Sequence, residues 1–337
     1  MAADTCEDGK RMKLRAAYAL LLALCAALAA GGASAQPRMP LIVVLFHGTE
    51  SATRPRLEAL REGLRELGYR EGQNYRMEVR WSSNRVERLP ELARELLGLK
   101  PDVAATNLVL PAQAFHRESK TIPIVMTGGA GAQRVGLIAS LARPGGNVTG
   151  VTNQGDELTT KLFELLQEIA PRAKRVVVLS SGLGTAELDG RAGSRAAAKV
   201  YGMTLVDAFA ESASQLPPLA ERCARERCEA LVALLDPNLN SFRGEVVALA
   251  ARLRIPAVYP LIAFAEEGGL IAYSADLQQL TRRAAVYVDK ILKGAKPGDL
   301  PVERPTKFEL VVNQKTAKTL GLKIPRSILL RADRVIE

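Results

Sequence analysis

The sequence predicts an α/β protein of two wound lobes, each a parallel sheet flanked by helices. Three observations carry that prediction. The chain has 337 residues, enough for two domains of ordinary size. Apolar residues make up 47% and aromatic ones only 4%, a balance that suits Ala-, Leu- and Val-rich helices on buried strands better than an aromatic-rich sandwich. From Pro40 onward, short β-branched runs alternate with stretches of helical period, and the alternation runs through twice.

The first series opens with a strand at Leu41 to Phe46. A helix follows from about Arg54 to Leu67, because Leu57, Leu60, Leu64 and Leu67 fall on one face and Gly68 stops it. Next come a strand at Tyr75 to Trp81, a helix at about Arg88 to Leu97, a strand at Val103 to Thr106, a helix near Ala112 to Ser119 and a strand at Ile124 to Met126. Gly-rich passages from Thr127 to Gly136 and from Arg143 to Gly150 break the rhythm and mark the lobe boundary. A helix over Glu157 to Ile169 opens the second series. Strands at Arg175 to Leu179, Thr204 to Ala208, Ala230 to Leu234 and Ala257 to Tyr259 then alternate with helices at Glu187 to Tyr201, Leu216 to Arg225 and Ser241 to Leu253. The tail, with a helix at Gln279 to Leu292, a strand at Phe308 to Val312 and a helix at Lys315 to Leu320, crosses back between the lobes. The expected division is 36–150 for the first lobe, rejoined by about 276–306, and 151–275 for the second, with about 307–337 crossing the hinge.

Residues 1–35 stand apart from this pattern. Lys10, Arg11, Lys13 and Arg15 precede an apolar run from Ala16 to Ala30, and Ala33-Ser34-Ala35 forms an A-x-A site, so a secretory leader cut before Gln36 is expected. Met12 opens its basic region more naturally than Met1. The apolar run is shorter than the roughly 20 residues that span a bilayer core. Cys25 has Leu22 three residues before it, as in a lipid-attachment box, but Leu24 is too large for the last position of that pattern. Export implies an oxidising compartment, where Cys223 and Cys228 are the two cysteines left. On an unbroken helix they point about 140° apart; they can pair only if the helix ends between them.

The net charge of +10 raises the question of nucleic acid. The basic residues, such as Arg54, Arg56, Arg61 and Arg65, are scattered singly along helices with acidic residues between them, which reads as a solvated face and argues against a nucleic-acid partner. Catalytic patterns are missing. His47 and His116 stand in no metal-binding spacing, so no metal is expected, and no nucleophile elbow, phosphate loop or dinucleotide fingerprint occurs, so no cofactor is expected. A hydrolase built on Asp236 or His47 would need a nucleophile and base that the sequence does not supply.

An open parallel sheet places its ligand beyond the carboxyl ends of its strands. The loops there contribute His47, Gly48, Thr49, Ser51, Thr106, Asn107, Thr127, Gly128, Gly129 and Asn153 from the first series, and Ser180, Ser181, Asp236, Asn238 and Tyr259 from the second. Glycines allow close backbone approach and helix starts can hold a carboxylate. Asp236-Pro-Asn238 is either an acceptor for an ammonium or hydroxyl of a ligand or a turn capping the next helix. Tyr259 either stacks on a ligand or fills the core.

Several segments bear a family likeness: Gly63-Leu-Arg-Glu-Leu-Gly-Tyr69 with Glu71-Gly-Gln-Asn74; Leu141-Ala-Arg-Pro-Gly-Gly-Asn-Val-Thr-Gly-Val151; Phe264-Ala-Glu-Glu-Gly-Gly-Leu270; Ile291-Leu-Lys-Gly-Ala-Lys-Pro297; Asp299-Leu-Pro-Val302; and Pro305 to Asn313, with Lys315-Thr-Ala-Lys318 and Arg331-Ala-Asp333. Through them the chain resembles the ABC transporter substrate-binding protein family, which includes TrpX-like aromatic amino-acid receptors. The resemblance implies a type I periplasmic binding protein-like fold: two Rossmann-like lobes with parallel sheets joined by a multi-strand hinge. It also implies a periplasmic protein that captures a small solute between the lobes and delivers it to an ABC permease and its ATPase subunit, touching the membrane only through the permease. A sensor subunit presenting the same cleft to a membrane receptor is the alternative. The cleft loops depart from the family pattern. Gly128-Gly129 is followed by Ala130-Gly131-Ala132-Gln133 where Asp-Pro is common, and Leu179 is followed by Ser180-Ser-Gly-Leu-Gly184 where Asn-Pro-x-Asn-Pro is usual.

Overall fold

The computed structural model describes residues 38–153, 155–182 and 185–337; the expected leader lies outside the described residues. Contacts divide the chain into Met1–Met39 and Pro40–Glu337, and the second unit carries both lobes. Among the described residues no helix is long and apolar enough to cross a membrane.

The first lobe is a five-stranded parallel sheet. Its strands are β1 (Leu41–Phe46), β2 (Arg76–Trp81), β3 (Val103–Thr106), β4 (Ile124–Thr127) and β5 (Val148–Val151), in the order β2-β1-β3-β4-β5. All six residues of β1 are buried, as a strand covered on both faces requires. The period-2 alternation splits it between two cores: Leu41, Val43 and Leu45 face one, Ile42, Val44 and Phe46 the other. Helices α1 (Glu50–Glu66), α2 (Leu89–Gly98) and α3 (Val109–Glu118) follow strands in turn. The stripe Leu57, Leu60 and Leu64 seats α1 on the second of these cores.

The second lobe is larger. Helix α4 (Gly155–Ile169) leads into β6 (Arg175–Ser180), α5 (Thr185–Tyr201), β7 (Thr204–Phe209), α6 (Leu216–Arg225) and β8 (Ala230–Ala233). After these come α7 (Pro237–Ser241), α8 (Arg243–Leu253), β9 (Ala257–Tyr259), α9 (Ile262–Glu266) and β10 (Ile271–Ala275). Helix α10 (Leu277–Leu292) then packs on α1, and the chain ends with β11 (Phe308–Asn313), α11 (Gln314–Thr319), α12 (Arg326–Arg331) and β12 (Arg334–Ile336). The sheet order is β12-β11-β10-β9-β8-β6-β7, parallel except where β11 runs antiparallel to β10.

Gly63 explains the close crossing of α1 and α10. A Cβ there would sit 2.5 Å from the Arg282 carbonyl oxygen and 2.8 Å from the Ala285 Cβ, so a larger residue forces the helices apart. Near the crossings between lobes, two segments are tied by backbone bonds: Glu303 N–H donates to the Gly150 carbonyl at 3.0 Å and Thr152 N–H to the Glu303 carbonyl at 2.9 Å. Arg283 holds the Glu303 carboxylate with two bonds of 2.8 Å.

The structure corrects the expected elements in four places. The second Gly-rich passage contains β5, an edge strand paired with β4. The helix expected over Ser241 to Leu253 begins at Arg243, because Phe242 leaves helical geometry (φ −125°, ψ 39°), and a separate short helix over Pro237–Ser241, started by Asp236 and Pro237, precedes it. Helix α9 with strand β10, and the pair α12 and β12, were not expected, since runs this short carry too little periodicity to be told apart. Helix α6 ends between the two cysteines, the condition set for their pairing. Arg227 is left-handed (φ 54°), Arg227 N–H donates to the Ala224 carbonyl at 3.2 Å and Cys228 N–H to the Cys223 carbonyl at 2.9 Å, a Schellman cap that brings the thiols together.

Candidate functional site

The carboxyl ends of both sheets converge on a cavity of about 100 Å³. The first lobe lines it with His47, Gly48, Thr53, Arg56, Asn84 and Asn107; Asn153 comes from the crossing after β5; the second lobe adds Asp236, Asn240 and Ser241. A recess of about 320 Å³ shares Asn84 and Ser241 with it and is lined further by Arg85, Glu87, Glu211 and Asn238.

Several predicted residues are spent on holding the site together. Asn107, 2% exposed, accepts from His47 N–H at 2.9 Å and donates to the His47 carbonyl at 2.7 Å, clamping the ends of β1 and β3. The His47 Nδ1 contacts Ser82 Oγ at 2.8 Å, and burial pulls the imidazole pKa down against the opposing effect of Glu87, so the ring is neutral. Thr49 caps α1, and exposed Ser51 leans on it with 3.2 Å between hydroxyls. Thr106 turns its hydroxyl back to the Leu108 carbonyl at 3.1 Å. Gly129 accepts from Thr152 Oγ1 at 2.7 Å. Ser180 receives Arg191 Nη2 at 2.8 Å.

Asp236 resolves the two readings of the Asp-Pro-Asn turn by geometry. One carboxylate oxygen accepts from the Asn238 and Leu239 N–H groups at 2.8 and 3.3 Å, the cap of α7. The other accepts from Ser181 N–H at 2.8 Å and Ser181 Oγ at 2.5 Å. Its acceptor sites are taken; burial pushes its pKa up against these four bonds. Tyr259 is 1% exposed and stacks on Phe264 at 4.9 Å in the second-lobe core, so the structure does not bring it to the cleft cavity. Leu183 and Gly184, from the loop after β6, lie outside the described residues.

Other polar groups are unspent. Asn153 is 2% exposed and its Oδ1 meets no partner; the buried Oδ1 atoms of Asn84, Asn238 and Asn240 are likewise unpaired. Such groups are costly to leave unbonded in a dry interior.

Arg56 is the residue the sequence reading missed. Its Nε donates to Thr281 Oγ1 at 3.3 Å and its Nη2 to the Thr127 carbonyl at 2.9 Å and the Asn107 carbonyl at 3.3 Å. No carboxylate pairs with it among the described residues. Burial pulls its pKa down to about 10, still charged at neutral pH. Gly128 makes the room: at φ 153°, a Cβ there would lie 2.8 Å from Arg56 Nη2. The helical spacing held the signal, since Arg56 is three residues after Thr53 and four before Leu60, on the inward face and not the solvated one.

Comparison with known proteins agrees with the fold. The family described as ABC transporter substrate binding protein matches residues 42–336. A tyrosine-binding protein of Clostridioides difficile (strain R20291) is 25% identical over 277 residues, covering 80% of this chain and 78% of the relative. Among solved structures, a conserved domain protein from Vibrio cholerae is 27% identical with a TM-score of 0.82, over 88% of this chain and 100% of that one. The ABC domain in complex with L-Trp from Streptococcus pneumoniae is 25% identical with a TM-score of 0.80, over 88% and 99%.

Proposed function

Since the chain belongs to the ABC transporter substrate-binding protein family, we propose that it works outside the cytoplasm, captures an amino-acid-like solute between its lobes and delivers it to a permease and its ATPase. The observation that carries this reading is the convergence of unspent polar groups from both lobes on one cavity: Arg56 and Asn84 from the first, Asn240 from the second, and Asn153 at a crossing between them. A solute bonded to all of them ties the lobes together, and its affinity comes from contacts made only when they are closed. The site offers no catalytic pairing. His47 is neutral and engaged with Ser82, Asp236 is fully bonded, and among the described residues no cluster of His, Cys, Asp and Glu could hold a metal. On this reading the protein binds and releases its solute unchanged.

Thermal unfolding of residues 36–337 against amino acids, small carboxylates, sugars and nucleosides tests this. A ligand at 100 times its Kd adds about 2.7 kcal/mol, and a protein of about 300 residues has an unfolding entropy near 0.6 kcal/mol/K, so the midpoint rises by about 4 °C. A saturable rise without turnover supports the reading; turnover of the bound compound, or no rise with any class, refutes it.

A further inference from the structure

We propose that Arg56 is the anchor for the solute's carboxylate, and that the solute is a non-aromatic amino acid whose ammonium is held by the amide oxygens around Asn153. The inference rests on the solute-binding reading of the same cleft and specifies its ligand. Three observations carry it.

The first is the state of the guanidinium. Nε and Nη2 are used on Thr281, Thr127 and Asn107, which fixes the plane of the group, while Nη1 has no partner among the described residues and Arg56 lines the cavity. A purely structural tie between strand ends needs only donors; it does not need a full charge without a counter-ion. A planar, fixed, unpaired guanidinium matches a carboxylate.

The second is the balance of donors and acceptors. Among the fully buried side-chain atoms of the residues lining the cavity, those without a partner are acceptors: Oδ1 of Asn84, Asn153 and Asn240. Each can accept an N–H donor from a ligand. The Asp236 carboxyl group borders the same cavity and the neutral His47 places no positive charge there, which suits an amine. A cavity of about 100 Å³ has the room of roughly three waters, the size of an amino-acid head group.

The third is the surrounding surface. Neither the cavity nor the adjoining recess has a Phe, Tyr or Trp among its described lining residues, and positions 154–156 and 183–189 contain none in sequence. The aromatic pair in the second-lobe core, Tyr259 and Phe264, is spent on itself. A ligand side chain leaving the head-group cavity meets Asn84, Arg85, Glu87, Glu211 and Asn238, a mainly polar wall in which Val86 is the one apolar side chain, with no ring to stack on.

The test titrates residues 36–337 calorimetrically with L-serine, L-glutamine and L-glutamate, the C-terminal amides of the three, their N-acetyl derivatives, and L-tryptophan. At least one free amino acid binds, and its amide and N-acetyl forms each bind at least about 30-fold more weakly, the loss that follows from leaving a buried charge or acceptor unpaired. Arg56→Gln lowers affinity for the acid by a similar factor and leaves the amide nearly unaffected; Arg56→Lys keeps part of the acid affinity. Equal binding of acid and amide to the unaltered chain overturns the proposal without relying on any variant. So does an Arg56→Gln protein that melts cooperatively and binds the acid normally, or tighter binding of tryptophan than of the polar amino acids. If none of these compounds binds but a sugar or nucleoside does in the broader panel, the amino-acid anchor is refuted while solute binding stands.

Discussion

Replacing Asp236 by alanine strips the acceptors from four donors at once. The Asn238 and Leu239 N–H groups lose the cap of α7, and Ser181 loses partners for both its N–H and its hydroxyl. A lost cap costs about 0.5 to 2 kcal/mol and a stranded buried amide about 1 to 3 kcal/mol. Removing a carboxylate that burial already disfavours returns part of this, as does water entering from the adjoining cavity. The net expectation is a loss of about 2 to 4 kcal/mol, or about 3 to 6 °C in a chain of this size. Asp236→Asn falls between, since it keeps one capping oxygen but turns an amide NH2 toward the Ser181 N–H. Thermal and urea unfolding without ligand measure the effect. An Asp236→Ala protein that melts within 1 °C of the parent yet has lost its solute refutes the argument, for then the carboxylate serves the ligand and not the fold.

Three further outcomes follow from the same geometry. Burial holds the folded His47 pKa below its ordinary 6.5, so its contribution to stability is full above that pH and is lost as pH falls through the folded value; the midpoint of the parent drops more steeply below pH 6.5 than that of His47→Gln, and parallel curves refute this. Cys223 and Cys228 touch across the Schellman cap, so glutathione disulfide takes up two electrons as both thiols release their protons; titratable thiols in residues 36–337 fall from two to none and the closed loop adds about 2 kcal/mol. The reaction is slow at neutral pH because burial pushes the Cys223 thiol up to about 12, and retention of both thiols after prolonged exposure to oxidant at pH 9 refutes the pairing. Gly63→Ala gains about 1 kcal/mol of helix propensity but drives a Cβ into the Arg282 carbonyl, for a net loss of about 0.5 to 2 kcal/mol, and a variant that melts higher than the parent contradicts the close crossing.

The strands most legible in the sequence were those buried on both faces. Leu41–Phe46 and Val103–Thr106 stand at their expected limits because an unbroken apolar run admits few other readings at that length. β5 hid because its four residues include Gly150 and follow Pro144, Gly145 and Gly146, so turn chemistry masked a pairing that only β4 supplies. The second-lobe helix expected from Ser241 starts at Arg243; its start is set by the backbone at Phe242, which periodicity does not record, and the short helix over Pro237–Ser241 before it was not expected.

The site was legible as a place and not as a set of contacts. The strand-end rule led to loops that line the cavity, yet residue type could not separate polar groups the fold consumes from those it leaves over. Asn107 and Asn153 are the same residue, each 2% exposed at a strand end, and each was read as a ligand group. Asn107 has its oxygen and nitrogen bonded to one neighbour, His47; the Asn153 oxygen has nothing. Arg56 was assigned to the solvated faces with Arg54, and the two differ by the turn of the helix: Arg54 is exposed and paired with Glu50 at 2.7 Å, while Arg56 faces the cavity with no carboxylate beside it. Binding capacity in this cleft is a remainder, the polar valence left after the fold's own bonds are made. That remainder depends on distances across 50 to 225 positions of sequence, as in the bonds from Arg56 to Asn107 and Thr281, and so it appears only once the lobes are built.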